Sequence, residues 1–123
     1  MILSINHIQL VAEKDLVIQL RDFYCDVVGL TEGFRPAFER FGFWLYIKDK
    51  DVLHLITPKE GDARSPQKSS FDHVAFKTGD YEGVLGKLKA INIPFEEKPI
   101  PGMSAHQIFL RDPAGNRVEL NFD

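Results

Sequence analysis

The chain has 123 residues, of which 44% are hydrophobic and 27% charged, values ordinary for one compact globular unit. A formal net charge of −3, with no cluster of lysine and arginine, excludes nucleic acid and membrane surfaces as expected partners. The one cysteine cannot form an internal disulfide, the first residues do not read as a signal peptide, and no apolar run approaches the roughly 20 residues of a membrane helix, so we expect a cytoplasmic protein.

The first half of the chain predicts a strand, a helix and further strands. Asp15 is the predicted N-cap of the helix, and Gly29 ends it in the left-handed conformation. The predicted elements are a strand at 5–11, a helix reaching about Val28, and strands at 41–47 and 52–56 joined by the polar connection 48–51. The polar stretch 58–70 has prolines and a glycine but no periodicity, so it is predicted as a linker.

The second half repeats this order. Asp80 is the predicted cap of a helix that ends near Asn92. The predicted strands are 71–76 before the helix, then 93–97, 106–111 and 117–122, with a proline–glycine turn at 112–116. The sequence therefore predicts an α+β fold of two βαβββ modules, with module one at 1–57, the polar linker at 58–70 and module two at 71–123.

Three histidines and a glutamate take matching places in the two halves. His73 lies 66 positions after His7 in the first strand of its half, and Glu119 lies 65 positions after His54 in the last strand of its half. Strand side chains alternate between faces, and this alternation directs all four at a common interior. Three imidazoles and a carboxylate suit one divalent ion from among Zn, Ni, Co, Mn and Fe(II). The pattern predicts a metal site with His7, His54, His73 and Glu119 as ligands.

Each histidine taken alone also has a structural interpretation, as a hydrogen-bonded strand residue. The matched placement favours metal binding for the set, and His54 has the alternative of donating to a ligand instead of binding the ion. His106 belongs to no repeat position and opens a strand directly after the loop 99–105. We predict it as a catalytic residue beside Glu119, acting as a proton shuttle or substrate contact, against the alternative of a loop-stabilising histidine.

Aromatic and basic residues have two interpretations each. Trp44 and Tyr46 fit either an aromatic pocket wall or the core of a sheet. Arg35, Arg40 and Arg111 fit either contacts to an anionic substrate or the solvated surface. The substrate itself has no decodable pattern in the sequence.

Four segments resemble the vicinal oxygen chelate superfamily, which contains glyoxalase I, extradiol dioxygenases, fosfomycin-resistance thiol transferases and bleomycin-resistance proteins. The likeness extends over essentially the whole chain. Its most specific segments are Asn6-His7-Ile8, the helix that contains Phe23-Tyr24 and ends with Val28-Gly29-Leu30, the strand Asp72-His73-Val74-Ala75-Phe76, and the stretch from Phe109 to Leu120.

This resemblance implies two βαβββ modules forming an open cup-shaped mixed sheet around one divalent ion, with the helices on the convex face. The family's ligands come from the first and last strands of the modules, which match His7, His54, His73 and Glu119. Members of this length usually form homodimers. Glyoxalase-type members generally carry Glu or Gln where His54 stands, so Glu119 is the one carboxylate left near the ion as a base.

Three functions are compatible with the resemblance. The first is a metal-dependent lyase or isomerase that chelates vicinal oxygens of a small substrate and transfers a proton. The second is an Fe(II) or Mn(II) extradiol-type dioxygenase or a thiol transferase with the same ligands. The third is a non-catalytic protein of the bleomycin-resistance type, which binds a small molecule; the ligand set argues against it.

Overall fold

A computed structural model describes residues 3–61, 73–99 and 106–122. The chain divides into two compact units, Met1–Pro66 and Gln67–Asp123, and each contains one four-stranded sheet. The elements of the first unit are β1 (Ile8–Val11), α1 (Lys14–Asp22) continuing as a π-helix (Phe23–Val28), β2 (Thr31–Gly33), β3 (Gly42–Ile47) and β4 (Lys50–Ile56). Those of the second are β5 (His73–Lys77), α2 (Tyr81–Ala90), β6 (Glu96–Pro99), β7 (His106–Arg111) and β8 (Arg117–Phe122).

Both sheets have the same mixed topology. The strand order is β1-β4-β3-β2 in the first unit and β5-β8-β7-β6 in the second. The first and last strands of each unit pair in parallel, and the other neighbours are antiparallel. A strand, a helix and three strands in each unit confirm the predicted α+β fold of two βαβββ modules. The predicted linker 58–70 lies mostly outside the described residues, and the module boundaries stay a prediction.

The register of the two sheets is also the same. In the first sheet Gln9, two positions after His7, pairs with His54, and His54 pairs with Trp44 of the neighbouring strand. In the second sheet Ala75, two positions after His73, pairs with Glu119, and Glu119 pairs with Phe109. These rows are Gln9, His54, Trp44 and Gly33 in the first sheet, and Ala75, Glu119, Phe109 and Glu96 in the second. Paired residues of neighbouring strands share a face, so each row forms a polar and aromatic band across its sheet.

Helix α1 packs against β3 and β4 and closes the core of the first unit. Val17, Leu20, Leu45 and Leu55 are fully buried there. The helix begins one residue before the predicted cap Asp15, and its N-cap residue makes no side-chain hydrogen bond. The capping prediction was therefore wrong. The predicted end is confirmed, because Gly29 follows the π-helix with a φ of 102° and its amide donates to the Tyr24 carbonyl.

The core of the second unit lies on one face of β8 and β7. Val118 and Ile108 are fully buried, as is Leu88 of α2. The cap of α2 is as predicted, since the Asp80 carboxylate accepts a hydrogen bond from the Gly83 amide at 3.2 Å. Over the described part of the chain, no helix combines the length and the apolar character that crossing a membrane requires.

Candidate functional site

Glu119 and His73 meet on one face of the second sheet. Glu119 lies in the middle of β8, and only 5% of it is exposed. Its Oε1 is 3.3 Å from Nε2 of His73, the first residue of β5. Two of the four predicted ligands are thus brought together by the fold of a single unit.

Two amides hold the Glu119 carboxylate in place. Gln107 donates to Oε1 at 3.2 Å, and Asn121 donates to Oε2 at 3.0 Å. Asn121 is two residues along β8 and Gln107 lies on β7, so both reach Glu119 from its own face of the sheet. Sequence reasoning missed Gln107, although its position next to His106 on an alternating strand was a usable signal.

His106 lies on the opposite face of this sheet. It pairs with Phe122, whose side chain alternates with that of Asn121. Its ring stacks on Tyr81 of α2 with centroids 4.4 Å apart. Tyr81 in turn donates a hydrogen bond to Glu97, which raises the pKa of the phenol to about 12. The structure therefore places His106 beside α2, and its predicted catalytic role stays a prediction.

His7 lies one residue before β1 and is exposed, whereas the sequence placed it inside a strand. Its Nδ1 is 2.8 Å from the Asn6 side-chain oxygen. In the tautomer that donates from Nδ1 to this oxygen, Nε2 has the lone pair that a metal ligand needs. The neighbouring asparagine thus orients the ring for binding through Nε2.

His54 is enclosed by aromatic rings and an aspartate. Only 7% of it is exposed, and its ring lies between His7 and Trp44, with centroid distances of 3.8 Å and 4.1 Å. Nε2 is 2.6 Å from Oδ2 of Asp51. Burial lowers the pKa of His54, and the hydrogen bond with Asp51 offsets this only in part. With Nε2 bonded to Asp51, the lone pair of His54 lies on Nδ1, in a ring plane nearly parallel to that of His7.

The donors of the second unit fit a divalent ion. Two ligands about 2.1 Å from one ion, at about a right angle, are about 3.0 Å apart, which is close to the separation of His73 Nε2 and Glu119 Oε1. His7 and His54 cannot both direct lone pairs at one ion while their rings are stacked, because each lone pair lies in its ring plane. Among the residues placed by the structure, no three His, Cys, Asp or Glu side chains group as a metal site. The four-ligand set stays a prediction.

A cavity of about 680 Å³ opens in the first unit, next to this stack of rings. Its wall includes Gln9, His54 and Trp44 from the row across the first sheet, together with Phe38 and Arg35. Trp44 is therefore a wall residue, as one of its two interpretations held. Tyr46 instead anchors the loop after β2, because its hydroxyl donates to the Phe34 carbonyl at 2.6 Å.

Several solved structures have the same fold as this chain. A glyoxalase family protein from Bacillus anthracis superposes with a TM-score of 0.77 at 21% identity, covering 100% of this chain and 97% of that one. A lactoylglutathione lyase from Agrobacterium tumefaciens gives 0.68 at 23% identity, covering 97% and 92%. The genomically encoded fosfomycin resistance protein from Listeria monocytogenes gives 0.71 at 17%, covering 100% and 95%. At these identities the likeness establishes the fold.

The sequence itself identifies the family. No protein of curated function matches the chain significantly. The sequence profile of one superfamily matches residues 4–120, nearly the full length. With two βαβββ units of equal register and a His–Glu pair in the second, the chain belongs to the Glyoxalase/Bleomycin resistance protein/Dioxygenase superfamily.

Proposed function

We propose that this protein is a divalent-metal-dependent enzyme of the glyoxalase type, which binds two adjacent oxygens of a small substrate and transfers a proton. The observation that carries the proposal is the buried Glu119, 3.3 Å from His73 and held by two amides. A buried carboxylate oriented in this way next to an imidazole is the donor arrangement of a metal site. Family membership adds that small substrates and divalent ions are common among its relatives.

From the matched spacing in the sequence we keep His7 as the proposed third ligand, and the contact of its Nδ1 with Asn6 leaves Nε2 for the ion. His54 then acts through His7, which it holds by ring stacking while Asp51 occupies its Nε2. This refines the predicted set of four to His7, His73 and Glu119, with His54 in a positioning role. A divalent ion at these residues supplies Lewis acidity towards the two substrate oxygens.

Glu119 is the residue to which we assign the proton transfer. Its Oε1 lies 3.3 Å from His73, whereas Glu96, on the same face, is two strands further along the sheet, and Asn121 binds Oε2. The carboxylate takes a proton from the substrate carbon next to the chelating oxygens and returns it to the neighbouring carbon. We further propose that the protein is cytoplasmic and forms a homodimer. Light scattering of the purified protein checks the homodimer.

A dioxygenase is the second candidate, and the stacking of His54 on His7 favours it, because two nearly parallel rings cannot both direct lone pairs at one ion. If His54 is not a ligand, two histidines and one carboxylate remain, a set typical of non-haem Fe(II) oxygenases. Activity that is lost in air and restored by ferrous iron and ascorbate would favour the dioxygenase. Hemithioacetal turnover supported by Ni, Co or Zn would favour the lyase.

Elemental analysis tests the metal requirement directly. The protein and its Glu119→Ala variant are reconstituted with Fe(II), Mn(II), Ni(II), Co(II) and Zn(II) in turn. We expect about one ion per chain in the unaltered protein and severe loss in the variant, because the variant removes the only charged ligand. Glu96→Ala is the matched control, since Glu96 is an exposed glutamate of the same sheet. Full metal content in Glu119→Ala would overturn the ligand assignment, and no ion under any condition would leave a non-catalytic binding protein.

A further inference from the structure

Two arginines of the loop between β2 and β3 approach the cavity of the first unit without an acidic partner. Arg35 and Arg40 are both half-buried and line the cavity. Glu39 and Glu60 also line it, but they are exposed. Among the described residues, no carboxylate lies within ion-pair distance of either guanidinium.

Arg35 is held rigidly in this position. Its Nη2 donates to the Arg40 carbonyl at 2.9 Å, and its guanidinium lies over the Phe38 ring, 5.0 Å from the centroid. The same Nη2 passes so close to Gly42 that a side chain there would touch it at 3.1 Å. A fixed planar guanidinium is preorganised for a carboxylate, because little side-chain freedom remains to be lost on binding.

The charge of this arginine is incompletely compensated. Its Nε is buried and has no hydrogen-bond partner within the part of the chain that the structure places. Burial and, secondly, the charge of Arg40 lower the pKa of Arg35. A half-buried cation with an unpaired buried nitrogen lacks part of its hydration, and a bound anion would compensate for that loss.

Aromatic surface adjoins the two arginines. Trp44 and Phe38 both line the cavity, with ring centroids 6.1 Å apart. Trp44 stacks on His54, which stacks on His7. The cavity therefore begins one ring away from the histidine to which we assign metal binding.

We propose that this cavity binds a small aromatic carboxylate, with its anionic group on Arg35 and Arg40 and its ring against Trp44 and Phe38. That such a compound is the substrate rests on the proposed function. Binding of the carboxylate in the cavity does not rest on the proposed function, because every residue named for it belongs to the first unit and none is a proposed metal ligand.

Trp44 gives a direct readout, because it is the only tryptophan of the chain. Naphthoate is titrated into the metal-free full-length protein while the Trp44 fluorescence is recorded, and calorimetry measures the same affinity independently. Naphthamide has the same ring without the charge, and cyclohexanecarboxylate has the charge without the aromatic ring. We expect naphthoate to quench Trp44 and to bind at least about tenfold more tightly than either comparator.

Variants then locate the charge. We expect Arg35→Met to weaken naphthoate binding by about tenfold or more. Arg111→Met removes the same charge from an arginine of the second unit, outside the cavity, and is expected to leave the affinity unchanged. Equal affinities for naphthoate and naphthamide, or an Arg35→Met protein that binds naphthoate normally, would overturn the proposal. If Arg35→Met does not fold, the naphthoate and naphthamide affinities of the unaltered protein decide.

The two proposals fail separately. A protein that takes up no metal but binds naphthoate at Trp44 contradicts the proposed function alone. A protein that loads one ion, loses it in Glu119→Ala and ignores naphthoate contradicts the cavity proposal alone.

Discussion

At the scale of single residues, the orientation of Glu119 depends on its neighbours on the same face. A carboxylate in a half-exposed loop would rotate, whereas this one is buried and accepts a hydrogen bond on each oxygen. Partners of this kind fix the direction in which a ligand presents its lone pairs. Gln107 is therefore as informative about the site as the predicted ligands.

Gln107→Leu tests this role. The variant keeps the side-chain bulk but leaves Oε1 of Glu119 without its donor, so we expect metal affinity to fall about 10- to 100-fold. His106→Ala is the matched control, because His106 is the adjacent residue on the opposite face and should leave metal affinity unchanged. Competition with a chromophoric chelator measures both. Equal losses in the two variants would mean that general damage to β7, and not the Gln107 hydrogen bond, controls the site.

The buried His54 makes stability depend on pH. Burial lowers its pKa below the ordinary value of 6.5, so the unfolded chain takes up this proton before the folded one as the pH falls. The stability that neutral His54 contributes is complete above pH 6.5 and is lost as the pH falls below 6.5 towards the folded pKa. We expect the urea midpoint of the chelator-treated protein to decline over this range, and to decline less in His54→Phe, which retains a ring but cannot titrate.

The same decline in His54→Phe would assign the pH dependence to other groups. The variant also removes the bond to Asp51, so the slope with pH, and not the stability at one pH, is the quantity to compare.

At the scale of elements, close approach of backbones decides where glycine is required. Gly42 in β3 pairs with Ile56, and a Cβ at this position would lie 2.1 Å from the Leu55 carbonyl oxygen. At Gly86 in α2, no atom of the described residues beyond its chain neighbours and its own helix backbone lies within 4 Å of the Cβ position. Replacement by alanine is therefore expected to change the free energy of unfolding in opposite directions at the two glycines.

Replacing each glycine by alanine checks this difference. Gly42→Ala is expected to lower the free energy of unfolding by about 1–3 kcal/mol, because the β3–β4 pairing must shift. Gly86→Ala is expected to raise it by about 1 kcal/mol through helix propensity. Urea denaturation of both variants measures the changes. A stable Gly42→Ala protein would show that β3 and β4 are further apart than described.

Some elements followed from local chemistry and others did not. Helix α2 and the turn at 112–116 were predictable, because Asp80 caps the helix and Asp112 accepts hydrogen bonds from the amides of Ala114 and Asn116. Strand β2 was missed, since its three residues are exposed and have no apolar alternation. Strand β6 was predicted at 93–97 and lies at Glu96–Pro99, because its position is set by pairing with β7 and not by its own residues.

At the scale of the whole molecule, the internal repeat was the most reliable guide. The near-equal spacings of 66 and 65 positions accompanied two βαβββ units that local patterns predicted, and the structure confirms these units. The repeat did not predict the different surroundings of His54 and Glu119, because these depend on side chains that have no counterpart in the other unit. His54 is bonded to Asp51, whereas Glu119 accepts hydrogen bonds from Gln107 and Asn121. The two equivalent strand positions therefore differ chemically.

The matched rows across the two sheets have an evolutionary consequence. Gln9, His54 and Trp44 occupy the same register as Ala75, Glu119 and Phe109, so the two units offer equivalent backbone positions to mutation. Since backbone pairing sets these positions, mutation can exchange the residue at one corner without disturbing the strand that carries it. Each unit can therefore carry its own chemistry on the same strand framework, a carboxylate in Glu119 and an imidazole between two rings in His54.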